Sequence, residues 1–535
     1  MMSEDEKVET ITLEYQSSND AKDTELARQA AEADHSLGFM QAIRKYPKAV
    51  MWSVLLSTSI IMEGYDIVLL FSFFAQPSFT KRYGEWDPKS MTYQISASWQ
   101  NGLGNAVSIG TIIGAFSNGY FTHKFGYRKV LLVSLLLIVA FVFVPFFAPN
   151  LGILLVGELL CGIPWGVFAT MAPAYASEIC PMALRGYLTV YVSLCWAFGQ
   201  LMSAGVQAGF EKNTTEWAYR IPFAIQWAWP LPLFLILWFT PESPWFFVRQ
   251  GLFGDAEKTL VRLGADKDTA KKTLAMMIHT NELEVSINKG TSYLDCFRGI
   301  DRYRTEVGCM VFVALPFCGS EIAGTPTYFF IQIGLPTSTA FQIAVGGRGL
   351  ACIGVIISWF LIPHFGRRTM YLWGLGMLAT ILLTIGFISV GAADSVGGIY
   401  AQAGMILLWQ FTYYITIGPM CYAIIGEVSS TRLRNKSVCL SRIIYYIAQT
   451  MCHVANPYMV NPTAGNWRGK TAFFWGCWTL VFFAWAWFRL PETKNKTFEE
   501  LDILFASGIK AREFANYRVD AYVDRGDSLT NIKKQ

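Results

Sequence analysis

Charge is scarce in this chain: Lys, Arg, Asp and Glu make up only 15% of its 535 residues, and there are 5 histidines. A soluble protein of that length would lack the polar surface to cover itself, so a globular cytosolic domain is excluded. The histidines are dispersed and form no Ser-His-Asp or two-metal constellation, which argues against an enzyme. The 11 cysteines are also scattered, and none has metal-ligand spacing. Small apolar filler is their expected role, and neither a metal nor another cofactor is implied. The start, Met1-Met2-Ser3-Glu4-Asp5-Glu6, lacks a basic region and a short apolar core, so no cleavable signal peptide is expected. The formal net charge of +4 is small and gives no reason to expect nucleic acid as a partner.

What the chain has instead is apolar length, with 53% hydrophobic residues and a mean hydropathy of +0.34. Residues 130–148 carry no charge, and 151–176 are broken only by Glu158. A helix needs roughly 20 apolar residues to cross the hydrocarbon core. On that measure the expected spans are 50–75, 98–121, 130–148, 151–175, 186–209, 220–240, 306–331, 340–363, 370–392, 399–425, 437–460 and 471–490. The fold expected is therefore all-α, with twelve transmembrane helices in two bundles of six. A tail (1–48), a bundle (49–241), a linker (242–305), a second bundle (306–490) and a second tail (491–535) follow in order.

The two bundles are copies. Glu178, Arg185 and Pro241 return as Glu427, Arg434 and Pro491 at offsets of 249, 249 and 250, and Gly126 returns as Gly366 at 240. Parallel repeats of this kind build secondary transporters, with the substrate site between the halves at mid-membrane.

Basic residues in short loops set the orientation. Lys124, Arg128 and Lys129 follow span 2; Arg185 follows span 4; Arg367 and Arg368 follow span 8; Arg432, Arg434 and Lys436 follow span 10. Loops of the other parity are neutral or mixed in sign, so both termini are expected in the cytosol. The sequon Asn213-Thr214-Thr215 then lies outside and is the expected glycosylation site. The N-terminal tail reads as disordered or loosely helical, the linker as short amphipathic helices with Leu260 and Leu263 on one face, and Thr497–Leu501 as the start of a tail helix.

Several motifs now add up. They are Gly64-Tyr65-Asp66; Pro173-x-Tyr175-x-x-Glu178-x-x-Pro181-x-x-x-Arg185-Gly186; Gly199-Gln200-Leu201; Pro241-Glu242-Ser243-Pro244; Gly418-Pro419 ahead of Glu427 and Arg434; and Pro491-Glu492-Thr493-Lys494. Together, over about 50–505, they resemble the sugar porter family of the major facilitator superfamily. Glu158 where that family commonly has Arg, Glu63 beside Asp66, and Thr327-Tyr328-Phe329-Phe330 are similar to the fungal α-glucoside (maltose-type) proton symporters.

The resemblance implies a proton-coupled importer of an α-glucoside such as maltose, or another oligosaccharide, working by alternating access as a monomer in the plasma membrane. The alternatives are a non-transporting sugar sensor and a carrier of a glycosylated metabolite or polyol. Glu178, Arg185, Glu427, Arg434, Arg128 and Arg367 would form a gating network at the cytosolic helix ends, the blander reading being static surface pairs. His123 and Tyr127 stand where the family usually has an acid and an Arg, so the first-half latch is expected to be weaker or pH-sensitive. The family's span 7 amides fall on Cys318, Gly319 and Gly324, and its span 10 tryptophan on Tyr422; the small residues are expected to widen the cavity for a second sugar ring.

Carboxylates inside a bilayer are costly and usually functional or paired. Glu63 and Asp66 share a helical face, and Glu158 lies at a similar depth. Close carboxylates of this kind cannot all stay ionised in a low-dielectric cavity, which suits proton coupling. The competing reading pairs them with Arg442 or Arg348. For substrate contact the candidates are Gln200, carried over from the family, then Tyr328, Tyr422, Asn456 and Glu321, with Trp409 and Gln449 behind them.

Overall fold

A computed structural model of the chain describes residues 39–88, 91–180, 182–288, 292–362, 364–392, 395–430, 433–494, 496, 501, 504–519 and 532–534. Eight of its helices are long and apolar enough to cross a membrane. They are Pro47–Phe73, Tyr127–Phe146, Leu151–Ala176, Trp217–Leu237, Gly299–Gly324, Thr337–Leu361, Arg367–Gly391 and Arg468–Arg489. Four further long elements complete twelve spans: Ala97–Phe125, Met182–Phe210, the broken pair Val396–Ile415 and Ile417–Val428, and Arg434–Val460.

These four are less apolar for a physical reason. They are spans two, five, ten and eleven, and their polar side chains, among them Ser108, Gln200, Gln410, Arg442 and His453, line a central cavity rather than face lipid.

Three spans are interrupted near that cavity. The first is broken between Ser57 and Ile60, and the tenth at Thr416, with φ −111 and ψ −83. The seventh kinks within Pro316–Ser320, where Cys318 and Gly319 leave helical geometry, stops at Thr325 and resumes as Pro326–Gln332. Irregular backbone at membrane depth is tolerated where it lines a cavity. The fifth span crosses the first at close range: a Cβ on Gly199 would lie 2.0 Å from the Ile61 carbonyl oxygen, and one on Gly64 2.2 Å from that of Trp196. Only glycines allow that approach, and it sets Gln200 beside the cavity.

One apolar core runs through residues of the second half from Val307 onward, another through Ala42 to Leu263. A third joins the halves on the side away from the tails, where Phe73, Ile95 and Leu103 pack with Tyr328, Phe341 and Val460. Between the halves run helices Pro244–Arg249, Phe253–Arg262 and Lys267–Asn288, with Leu260 and Leu263 both buried. Of the N-terminal tail, residues 1–38 lie outside the described residues, as do 497–500 of the expected tail helix.

A central cavity and two repeated latches

The cavity has two connected parts. A wider one of about 210 Å³ is lined by Glu63, Thr111, Tyr422, Arg442, Tyr446 and Gln449, among others. An inner one of about 100 Å³ is lined by Gln200, Glu321, Gly324, Arg348, Trp409 and Gln410. They share Phe71, Trp196, Gln449 and His453. The wider part is also bounded by Ile60, Pro173 and Gly418, toward the tail side. The far side is sealed by the joint apolar core and by hydrogen bonds between the halves. Gln100 Nε2 donates to Tyr328 Oη (3.2 Å), and Asn461 Nδ2 donates to the Ile95 carbonyl (2.8 Å).

The three membrane carboxylates differ in surroundings. Asp66 is buried and accepts from Trp165 Nε1 at 3.0 Å and Gln226 Nε2 at 2.6 Å, so it ties the first, fourth and sixth spans together. Glu158 is buried within electrostatic reach of Asp66, and neither of its oxygens has a hydrogen-bond partner among the described residues. Glu63 lines the wider cavity together with Arg442, whose charge it feels. Arg442 lies over the rings of Tyr422 and Phe312, 5.0 Å from each centroid. Arg348, the other basic partner considered, sits instead on neutral oxygens of Gln200, Ala323 and Gly324.

Among the substrate candidates, Gln200, Glu321 and Trp409 line the inner part, Tyr422 the wider part, and Gln449 both. Two fall elsewhere. Tyr328 belongs to the far-side seal, and the Asn456 Oδ1 accepts from Trp475 Nε1 (3.4 Å) in packing against the last span. Sequence reading missed His453, because dispersed histidines carry no spacing signal. Its Nε2 lies 3.5 Å from Glu321 Oε2 and its Nδ1 3.4 Å from Ser108 Oγ.

The expectation that small residues in the seventh span widen the cavity needs correcting. Cys318 is fully buried with its thiol on the Leu315 carbonyl (3.1 Å). Gly319 has φ +92, and a Cβ there would meet Leu382 Cδ1 at 2.9 Å. The kink turns both positions into the second bundle, and only Gly324 of the three lines the cavity.

At the tail side the repeat becomes geometry. Glu178, at the end of the fourth span, accepts from Tyr127 Oη (3.0 Å), Arg249 Nη1 (2.8 Å) and Ser243 Oγ. Glu427, at the end of the tenth, accepts from Arg367 Nε (3.1 Å), Arg367 Nη2 (2.9 Å) and Thr493 Oγ1. Beside them Glu242 takes the backbone N–H groups of Tyr127 and Arg128, and Glu492 that of Arg367. Burial pushes the Glu242 carboxyl up, and its backbone donors pull it down. Gly126 and Gly366 recur because any Cβ would strike these carboxylates, at 2.4 and 2.1 Å.

Arg128 does not join Glu178. It donates to the Trp238 carbonyl, as Arg368 does to that of Trp487, so Arg128 matches Arg368 and Tyr127 matches Arg367. The side chains of Arg185 and Arg434 lie outside what the structure describes.

The comparisons agree with this architecture. A maltose permease of Saccharomyces cerevisiae, MAL31, is 38% identical over 504 residues, covering 93% of this chain and 82% of its own. The general alpha-glucoside permease of S. cerevisiae strain CEN.PK113-7D is 36% identical over 513 residues, covering 94% and 83%. The proton:xylose symporter XylE bound to 6-bromo-6-deoxy-D-glucose superposes with a TM-score of 0.70 at 20% identity, over 86% of this chain and all of that one. The model of the family described as "Sugar (and other) transporter" matches residues 52–505, and the chain belongs to that family.

Proposed function

We propose that the protein is a proton-coupled importer of an α-glucoside, maltose or a close relative, working by alternating access in the plasma membrane with both termini in the cytosol. The observation that carries this reading is the pairing of two things: a cavity in two connected parts between the halves, and a group of acids set around it. The inner part offers donors and acceptors at Gln200, Glu321 and Gln449 with the face of Trp409; the wider part offers Tyr422, Tyr446 and Arg442. Alternating hydrogen-bonding groups and ring faces suit a sugar, and two adjoining parts with shared walls suit two linked rings. The names of the relatives, maltose and alpha-glucoside permeases, support the same cargo.

Asp66 and Glu158 form a buried acid pair in which one partner is hydrogen-bonded and the other is not. Two carboxylates within electrostatic reach of one another in low dielectric share a proton more readily than they hold two charges. Such a pair can take up a proton on one side and lose it on the other. The seal lies on the far side and the cavity extends toward the tails, an inward-facing arrangement in this reading.

Uptake of radiolabelled maltose, sucrose and glucose in a transport-deficient host, with and without a protonophore, tests it. We expect accumulation of the disaccharide above the external concentration, abolished by the protonophore. Glucose matching or beating both disaccharides, or accumulation indifferent to the protonophore, would overturn the reading.

A further inference from the structure

Arg348 is the buried cation of the inner chamber, on the eighth span and 3% exposed. Its Nη1 donates to Gln200 Oε1 at 2.6 Å, across the interface between the halves. Its Nη2 donates to the carbonyls of Gly324 (2.9 Å) and Ala323 (3.3 Å). Those carbonyls end the short helix Glu321–Gly324, just before the break at Thr325 leaves them without helical partners. Gln410 Nε2 also donates to the Ala323 oxygen (2.9 Å). Tyr414 Oη donates to the same Gln200 oxygen at 3.2 Å. An ionised group within a membrane is expensive and is retained for a function by default. Here the charge rests on neutral oxygens of the opposite half and of the broken seventh span.

We propose that Arg348 is a positioning residue that fixes which end of the Gln200 amide meets the sugar and clamps the break in the seventh span, so holding the far side closed. With two donors on its oxygen, Gln200 can present only its NH₂ group to the cavity. The sugar oxygen it meets must therefore accept. The same guanidinium holds the root of Pro326–Gln332, the segment that carries Tyr328 into the seal. Losing the clamp frees both.

Two measurements test this, one without sugar. Ile95 is 1% exposed in the far-side seal. In an Ile95→Cys chain, labelling of that thiol on intact cells by a membrane-impermeant maleimide reports opening to the outside. Adding Arg348→Met should raise the labelling rate several-fold, and an unchanged rate would overturn the clamp.

The second measurement rests on the glucoside reading above. Deoxy and deoxyfluoro maltose analogues compete with maltose for the purified protein. Fluorine can accept but not donate, so at the hydroxyl facing Gln200 the fluoro analogue should compete at least five-fold better than the deoxy one. In Arg348→Met that ratio should fall toward one, at an unchanged amount of folded protein. A ratio that persists in the variant would overturn the orienting role. If maltose itself does not bind, the glucoside reading fails, and the labelling rate alone decides the clamp.

Discussion

Asp66 and Glu158 were legible as candidates because acids are rare in apolar runs, but their different surroundings were not. The partners of Asp66 come from Trp165 and Gln226, which are 99 and 160 residues away and carry no motif. The contrast yields a prediction. Asp66→Asn turns one of two acceptors into a donor facing a donor, and leaving a buried donor unmet costs on the order of 1–3 kcal/mol. Glu158→Gln replaces oxygens that have no partner to lose. Both variants should lose accumulation against a gradient while keeping sugar exchange. Only Asp66→Asn should unfold at a clearly lower temperature in detergent. Retained concentrative uptake in either variant would remove that residue from the proposed coupling pair. Cys318 and Gly319 were misjudged in orientation because both sit in a kink whose backbone is not helical, and sequence periodicity assumes an unbroken helix. Pro316 and Gly319 within an apolar run were the available hint.

Among the elements, the twelve spans and their duplicate order could be read from apolar length and from repeated Glu, Arg and Pro, since both follow directly from chain composition. The breaks at Thr325 and Thr416 had a signal that went unread: Pro326 disfavours helix at Thr325, and Pro419 clashes with the helical carbonyl of Ile415. The latches show how a repeat keeps its shape while changing its parts. Arg367 grips Glu427 with two of its nitrogens, half-sheltered from solvent. In the first copy Tyr127 supplies a neutral hydroxyl and Arg249 one nitrogen. Two-pronged, charge-assisted contact is the stronger kind, whereas a single-nitrogen pair to an arginine this exposed is worth ~0–1 kcal/mol. Arg367→Ala should therefore lower the uptake rate more than Arg249→Ala. Adding Tyr127→Arg to Arg249→Ala should restore the first latch, read as recovery of the rate. Equal losses in the two single variants would show that the copies bear equal load.

For the whole molecule, the asymmetry of basic loops predicts that epitope tags at either end are reached only after permeabilisation. Asn213→Gln should remove any N-linked glycan, seen as a faster-migrating band. A tag reached on intact cells would invert the orientation and, with it, the sense of transport. The pairing of halves across the far side was not readable, since Gln100 with Tyr328 and Asn461 with Ile95 involve ordinary polar residues far apart in the chain.

The borrowed Arg249 has a consequence for exchanging parts between relatives. It stands in the connecting helix Pro244–Arg249, beyond the last span of the first bundle, yet it completes the bond to Glu178. The second copy keeps its matching arginine, Arg367, at the head of its own ninth span. Both copies borrow a hydroxyl from beyond their last span, Ser243 and Thr493, but only the first also takes its arginine from there. A chimera cut at Pro241 would hand the first bundle a foreign joint and leave Glu178 with Tyr127 but without Ser243 and Arg249, whereas a cut after Gln250 would keep all three donors with it.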